Sequence, residues 1–248
     1  MGTTKNMMTK IATGLLLAGA SSGVAFAEDW DWSLTPYAWL PAVGTDIHLD
    51  VPPIDTGETR QFSAIRPKLG FTIPLHLEAQ GDEWGLLSDL LYLPVSGNRH
   101  GEFLNTDTSL DAGIFELAAV WSPGEVRHEG FEVIGGLRYL WASVDFKLVP
   151  TNPALPSGKV SVDTDYPDFM LGARYTAKLS DRWALTLRGD GSWGSTDGTY
   201  GADAVFTYAT SNGAWVLGYR YLKVKFSDND RSFDMKMYGP EFGYTFKF

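Results

Sequence analysis

The alternation of hydrophobic and polar residues is clearest at the end of the chain, in the segment YGPEFGYTFKF at 238–248. Every second residue of this segment, counted back from Phe248, is aromatic or apolar, and the residues between them are polar or glycine. A period of two places successive side chains on opposite faces of a β-strand. The segment therefore predicts a strand with one aromatic face and one polar face.

The same period recurs along the chain and predicts ten strands. Their connections alternate between longer loops and mostly tight turns such as QGDE (80–83), LSDR (179–182) and TSNG (210–213). An even number of strands, with long loops at one end and short turns at the other, is typical of outer-membrane barrels. We therefore expect an all-β, closed antiparallel up-and-down barrel with strands near 30–49, 67–80, 83–97, 108–122, 131–149, 159–179, 182–196, 199–210, 214–227 and 232–248.

Several prolines lie inside the predicted strands, among them Pro36, Pro74, Pro167 and Pro240. Proline has no backbone N–H and cannot donate to a hydrogen-bond ladder, and a closed barrel has no free edge where it would be tolerated. Each proline therefore predicts a bulge or a strand end. For this reason an eight-stranded barrel is the alternative.

Aromatic residues recur at two levels of the predicted strands. Three tight turns lead at once to a tryptophan, namely Trp84, Trp183 and Trp215. Trp183 and Trp193 are ten residues apart, which covers about 25 Å on a tilted strand, the height of the apolar band in such barrels. The second row consists of Tyr92, Trp193 and Tyr221. Two such rows predict the two membrane interfaces.

The first residues have the three parts of a secretory signal peptide. Lys5 and Lys10 form a positively charged start, the apolar run IATGLLLAGA follows them, and the small-residue cleavage site Ala25–Ala27 ends the segment. We expect residues 1–27 to be removed and residues 28–248 to form the barrel domain. The chain has no cysteine and a formal net charge of −10. That acidity argues against nucleic acid as a partner.

The motif G-x-R-Y occurs three times, at 136–139, 172–175 and 218–221. In each copy, alternation turns the tyrosine toward lipid and the glycine and arginine toward the lumen. The predicted lumen-lining residues are Glu78, Asp89, Glu116, Arg138, Arg174, Arg188, Asp190, Arg220 and Glu241. Either these charges pair and plug the barrel, or they line a constriction that selects small polar solutes. Because four arginines nearly balance five carboxylates, we expect weak ion selectivity.

Several segments give the chain a family resemblance: WGLLSDLLYLPVSG (84–97), GGLRYLWASVDF (135–146), LGYRYLKVKF (217–226) and MYGPEFGYTFKF (237–248). With them the chain resembles the small porin-like outer-membrane β-barrel proteins of Gram-negative bacteria. The resemblance implies a location in the cell outer membrane and a C-terminal strand, ending at Phe248, that the barrel-assembly machinery recognises. It implies no catalytic or ligand-binding residues.

The expected function is therefore a narrow channel for small solutes or a plugged barrel with a structural role in the envelope. We expect a monomer in contact with outer-membrane lipid and lipopolysaccharide, with no enzymatic activity, metal or cofactor. One alternative is a hydrolase at the outer rim, where Asp46, His48 and Asp50 share a strand face. A histidine between two acids can serve as a general base. The other alternative is a surface adhesin or lipopolysaccharide-binding barrel.

Overall fold

Twelve β-strands form one antiparallel sheet in the computed structural model, which describes residues 30–49, 68–69, 74–100, 104–124, 126–150, 157–228 and 231–248. No helix capable of crossing a bilayer occurs among these residues. The signal peptide predicted at 1–27 lies outside them. The strands are β1 Asp31–Trp39, β2 Ala42–Leu49, β3 Lys68–Leu69, β4 Leu75–Gln80, β5 Trp84–His100, β6 Leu104–Trp121, β7 Gly130–Pro150, β8 Gly158–Lys178, β9 Trp183–Gly194, β10 Gly198–Ala209, β11 Gly213–Asp228 and β12 Arg231–Lys247.

The sheet closes into a barrel because β1 pairs with both β4 and β12. At this seam the backbone amide of Phe248 donates to the carbonyl of Trp32 at 3.0 Å, and the amide of Trp32 donates to the carbonyl of Phe248 at 3.3 Å. β2 continues the line of β1 along β12, and β3 and β4 together form one wall strand against β5. The wall thus has ten strands in meander order, which confirms the predicted architecture. The eight-stranded alternative is wrong.

Pro36, Pro74, Pro167 and Pro240 lie where the hydrogen-bond ladder is interrupted. The carbonyl of Pro240 accepts from the amide of the first residue after β1, in the gap between β1 and β2. The carbonyl of Pro167 accepts from the residue that follows β9. Pro36 lies where the register of β1 against β12 skips two residues, and Pro74 immediately precedes β4. The prolines, which lack an N–H group, thus lie at breaks in the pairing with a neighbouring strand. For this reason they are compatible with all ten wall strands.

Large apolar side chains are exposed on the outer face of every one of the ten wall strands. Trp183 and Trp215, beside tight turns, are each 47% exposed, and Trp193, at the other end of β9, is 54% exposed. Soluble monomers rarely expose apolar patches larger than a few hundred Å². A continuous apolar belt bounded by aromatic residues is the lipid-facing surface of a transmembrane barrel.

The two ends of the barrel differ in their connections. We call the end that holds the turns Gly81–Glu83 and Ser180–Arg182 and the terminal Phe248 the turn end, and the opposite end the loop end. Toward the loop end the interior is filled by the loop-end cluster, whose members are at most 7% exposed: Tyr37, Trp39, Leu91, Ile114, Leu140, Leu222, Val224 and Met237. A second cluster covers the inner face of β5–β8 nearer the turn end: Leu87, Ala118, Val120, Ile134 and Met170.

Gly136 lies where two strands approach too closely for any side chain. A methyl group at this position would lie 2.2 Å from the carbonyl oxygen of Leu117 and 2.6 Å from Cβ of Ala118. At the adjacent Gly135, a methyl group would meet no atom within 4 Å. We expect Gly136→Ala to destabilise the barrel by about 1–3 kcal/mol through overpacking, and Gly135→Ala to change its stability by no more than about 1 kcal/mol. Denaturant titration in detergent micelles, followed by tryptophan fluorescence, measures both variants. Equal stabilities would contradict this packing.

Candidate functional site in the barrel interior

The nine charged residues assigned to the lumen by alternation all lie on the inner face of the wall. Their side chains are almost fully removed from solvent, from 0% exposed for Glu116 to 11% for Arg174. They come from eight of the ten wall strands, which brings them to a common layer in the middle of the barrel. This layer separates the loop-end cluster from the turn end.

Glu116 on β6 is the centre of the charged layer. Its Oε1 accepts a hydrogen bond from Nε of Arg138 at 2.9 Å, and its Oε2 accepts one from Nη2 of Arg188 at 2.8 Å. Nη2 of Arg220 lies 3.9 Å from the same carboxylate. Arg138 also pairs with Asp190, and Nε of Arg188 lies 3.0 Å from Asp190 without hydrogen-bond geometry. The carboxylate of Glu116 therefore joins guanidiniums from three other wall strands.

Arg220 on β11 connects this layer to β1 and to the loop-end cluster. Its Nη1 donates to the hydroxyl of Tyr37 at 2.7 Å and lies 3.6 Å from Asp89. The hydroxyl of Tyr37 in turn donates to Asp89 at 3.0 Å. The guanidinium also lies over the ring of Trp39, 5.6 Å from its centroid, a cation–π contact.

Arg174 on β8 forms a second cluster nearer the turn end. It donates to Glu78 from Nη1 at 3.0 Å and to Glu132 from Nη2 at 3.1 Å, and it makes a further close contact with each carboxylate. Ser122 donates to Glu132 at 2.7 Å, and Gln80 donates to Ser122 at 3.0 Å. Because Glu78 lies on β4 and Arg174 on β8, this ion pair crosses the lumen.

His76 on β4 lies between the two clusters. Its Nε2 is 3.3 Å from Glu78 and its Nδ1 is 3.3 Å from Asp89. The imidazole thus bridges one carboxylate of the Arg174 cluster and one of the Glu116 layer. Both ring nitrogens are occupied by carboxylates, which makes His76 a structural link between the two sets of ion pairs.

Three inward carboxylates were not among the residues predicted from the sequence: the buried Glu132 and Asp168 and the half-buried Asp203. Each lies on the same face of the sheet as an arginine that was predicted to point inward. Glu132 is an even number of residues from Arg138 on β7, and Asp203 lies opposite Arg220 in register. Their odd or even positions along the strands would therefore have identified them as inward-facing. With these three, the described interior holds eight carboxylates against four guanidiniums. The interior is more acidic than the near balance expected from the sequence.

A cavity of about 440 Å³ extends from the turn end to the charged layer. Its mouth is formed by turn residues, including Ser180 and His128, and its floor includes Asp203, Arg220 and Glu241. Threonine, valine and alanine side chains of β8–β12 line the wall between them. Residues of β1, β4, β5 and β7 complete the lining, among them Thr35, Glu78, Asp89 and Glu132.

The residues of the rim hydrolase hypothesis are Asp46, His48 and Asp50. The backbone of β2, to which Asp46 and His48 belong, pairs with β12. The side chains of all three residues lie outside the described part of the structure. The hypothesis stays a prediction from the sequence.

The fold can be compared with solved structures. The chain is similar to the outer membrane protease OmpT from Escherichia coli, with 10% identity, a TM-score of 0.52, and coverage of 92% of this chain and 100% of that chain. Two further matches are Ail, the attachment invasion locus protein of Yersinia pestis (9% identity, TM-score 0.38, covering 88% of this chain and 99% of that one), and the outer membrane protein OprG from Pseudomonas aeruginosa (15% identity, TM-score 0.35, covering 88% and 96%). No protein-family model and no curated protein sequence matches the chain.

The fold is that of an outer-membrane β-barrel. A closed wall leaves no backbone group unpaired in hydrocarbon, and the apolar belt faces lipid all the way round. Together with the fold, these features locate the protein in the cell outer membrane. The likeness to the protease is a likeness of fold and carries no activity with it.

Glu116 offers a direct test of the charged layer. We expect Glu116→Gln to destabilise the barrel by about 3–5 kcal/mol, because it removes the charge that pairs with buried guanidiniums. Asp82→Asn is the matched control, since the side chain of Asp82 is 87% exposed and pairs with Arg127 at the surface of the turn end, where such a pair contributes about 0–1 kcal/mol. Denaturant midpoints in detergent micelles measure both effects. A midpoint for Glu116→Gln equal to that of the control would mean that the layer contributes little to stability.

Proposed function

We propose that the protein is a porin-like outer-membrane barrel with a closed lumen and a structural role in the envelope. The observation that carries the proposal is the crossing of the lumen by ion pairs. Glu116 on β6 contacts Arg188 on β9 and Arg220 on β11, and Arg174 on β8 contacts Glu78 on β4. Side chains from distant wall strands meet in these pairs and occupy the cross-section of the barrel at that level.

The loop-end cluster supports the same proposal by adding a second barrier. Trp39, Leu91 and Met237 come from β1, β5 and β12 and are each at most 5% exposed. An apolar constriction excludes water, and ions cannot pass a segment from which water is excluded. A barrel of about eight strands is just filled by its own side chains, whereas open pores have about 16. Ten wall strands lie near the filled end of that range.

The proposal includes the absence of enzymatic activity. Among the described residues, His76 contacts two carboxylates, and the buried serines Ser122 and Ser192 donate to Glu132 and Asp168. A nucleophile needs a base within hydrogen-bond reach. The contacts of these serines support a role in holding carboxylates.

We further propose that the barrel is a monomer, in contact with outer-membrane lipid and lipopolysaccharide through its belt. Its assembly would depend on recognition of β12 by the barrel-assembly machinery. The side chain of Phe248 is 72% exposed, whereas its backbone is bonded to Trp32 at the seam. The aromatic ring is thus free for recognition, and the backbone serves closure.

Conductance tests the closed lumen. We expect no conductance steps from the wild-type protein in planar bilayers. Replacing Trp39 and Arg220 together by alanine removes two stacked side chains, one from each barrier, and we expect conductance steps to appear. Trp193→Ala, on the lipid-facing surface, is the control that should stay silent. Gel mobility of boiled and unboiled samples verifies that each variant is folded. Regular steps from the wild-type protein would contradict a closed lumen.

Phe248→Ala separates recognition from closure. The variant keeps the two backbone hydrogen bonds to Trp32 and loses only an exposed ring. We therefore expect refolding in detergent to remain as efficient as in the wild type, and the amount inserted in the outer membrane of cells to fall several-fold. Quantitative blotting of membrane fractions measures the second effect. An unchanged level in cells would refute a signal at Phe248.

A further inference from the structure

The floor of the cavity holds two carboxylates, Glu241 and Asp203, whose nearest guanidiniums, those of Arg188 and Arg220, make their close contacts with Glu116. Glu241 is 8% exposed, and neither it nor Asp203 makes a hydrogen bond or a close ion pair with any described residue. The other buried carboxylates differ in this respect. Asp190 pairs with Arg138, and Asp168 accepts hydrogen bonds from a serine, a threonine and a backbone amide.

The positions of the two carboxylates follow from the strand register. Asp203 lies opposite both Arg188 and Arg220, but these guanidiniums turn toward Glu116. Glu241 lies opposite Gly218 on β11, and its Oε1 is 2.6 Å from the place that a Cβ on that glycine would take. The glycine thus makes room for the carboxylate to lie along the wall, on the side of β10.

Both carboxylates line the cavity. A carboxylate that is largely removed from bulk water loses part of its hydration, which is unfavourable unless a counter-charge or a proton accompanies it. Arg220, which lies nearest in register to both, is already shared among Tyr37, Asp89 and Glu116. The floor therefore presents two carboxylates that still have free acceptor positions to a cation that enters from the turn end.

The chemistry of the cavity distinguishes between kinds of cation. Divalent metal ions take six or more oxygen ligands or a compact set of side-chain donors, and the described residues contain no group of three or more potential metal ligands. An ammonium group has three donors and a single charge, which two carboxylates can accept. The wall above them, with Val205, Val216 and Thr207, offers apolar and hydroxyl contacts for a short carbon chain. The volume of about 440 Å³ lies in the range of small-molecule sites.

We propose that this cavity binds a small organic cation, a primary ammonium compound, with its charged group between Glu241 and Asp203. The ligand would enter at the turn end, which faces the periplasm in barrels with short turns on that side. The inference goes beyond the proposed function, since it holds for a closed lumen and for a conducting one alike.

Isothermal titration calorimetry of the purified full-length protein in detergent micelles tests the proposal. The probe is n-butylammonium chloride, and n-butanol and sodium chloride are the reference compounds without an ammonium group. We expect butylammonium to bind and neither reference to bind. Glu241→Gln and Asp203→Asn should each weaken binding by at least about tenfold, because removing one partner of a buried charge pair costs that much or more. Glu83→Gln, the same change at an exposed turn residue, should leave the affinity within about twofold.

Three results would overturn the proposal. Absence of butylammonium binding to the wild-type protein would mean that the carboxylates carry protons. Binding that survives both substitutions would place the ammonium elsewhere. Equal binding of n-butanol would show an apolar pocket. Because Gln keeps the size of Glu241 and removes an unpaired charge, Glu241→Gln should not lower the denaturant midpoint. A large decrease in that midpoint would instead assign Glu241 to the ion-pair layer.

Discussion

Pairing of the first and last wall strands is the constraint on which the rest of the structure depends. In hydrocarbon, an unpaired backbone amide or carbonyl has no water to bond, so a transmembrane sheet must have no edge. The hydrogen bonds between Trp32 and Phe248 close that edge at the turn end, and β2 continues the seam toward the loop end. Once the wall is closed, each side chain of the membrane-spanning part of a strand has only two environments, lipid outside and the interior of the barrel.

Enclosure explains the extent of the ion pairing. Most polar side chains that face inward at mid-height are largely removed from bulk water, so most charges there persist by contacting one another. Glu116 meets this requirement with guanidiniums from three wall strands, and Arg174 meets it with two carboxylates. Glu241 and Asp203 lie where the interior opens into the cavity, which also reaches paired members of the charged layer such as Glu78 and Arg174. The interior therefore combines a filled cross-section with an accessible acidic pocket.

Much of the wall was predictable because alternation reports directly on which face a side chain occupies. The aromatic row that ends at Phe248 and the inward arginines of the G-x-R-Y motifs follow from that period alone. The prolines introduced an ambiguity about strand number, since a sequence does not show that a missing N–H faces a gap in the neighbouring strand, as it does for Pro240.

The pairing inside the barrel was less predictable. Contacts such as Arg174 with Glu78 join residues 96 positions apart on strands that are not neighbours, and they depend on how the strands are staggered around the axis. Parity would have added Glu132, Asp168 and Asp203 to the inward set, but it could not distinguish a carboxylate with a partner from one without. The cavity likewise depends on where bulky residues such as Ile134 and Met170 fall relative to the threonines and valines of its lining.

The seam also sets an order of events in time. It pairs Ser33 with Lys247, two residues near opposite ends of the barrel's sequence. The other wall strands pair with strands that are next to them in sequence. Loop-closure entropy makes such long-range pairings slow and late relative to local hairpins. The barrel can close only after β12 is available to pair with β1. Until then β1 has an unpaired edge, which any chaperone that binds the unfolded chain has to cover.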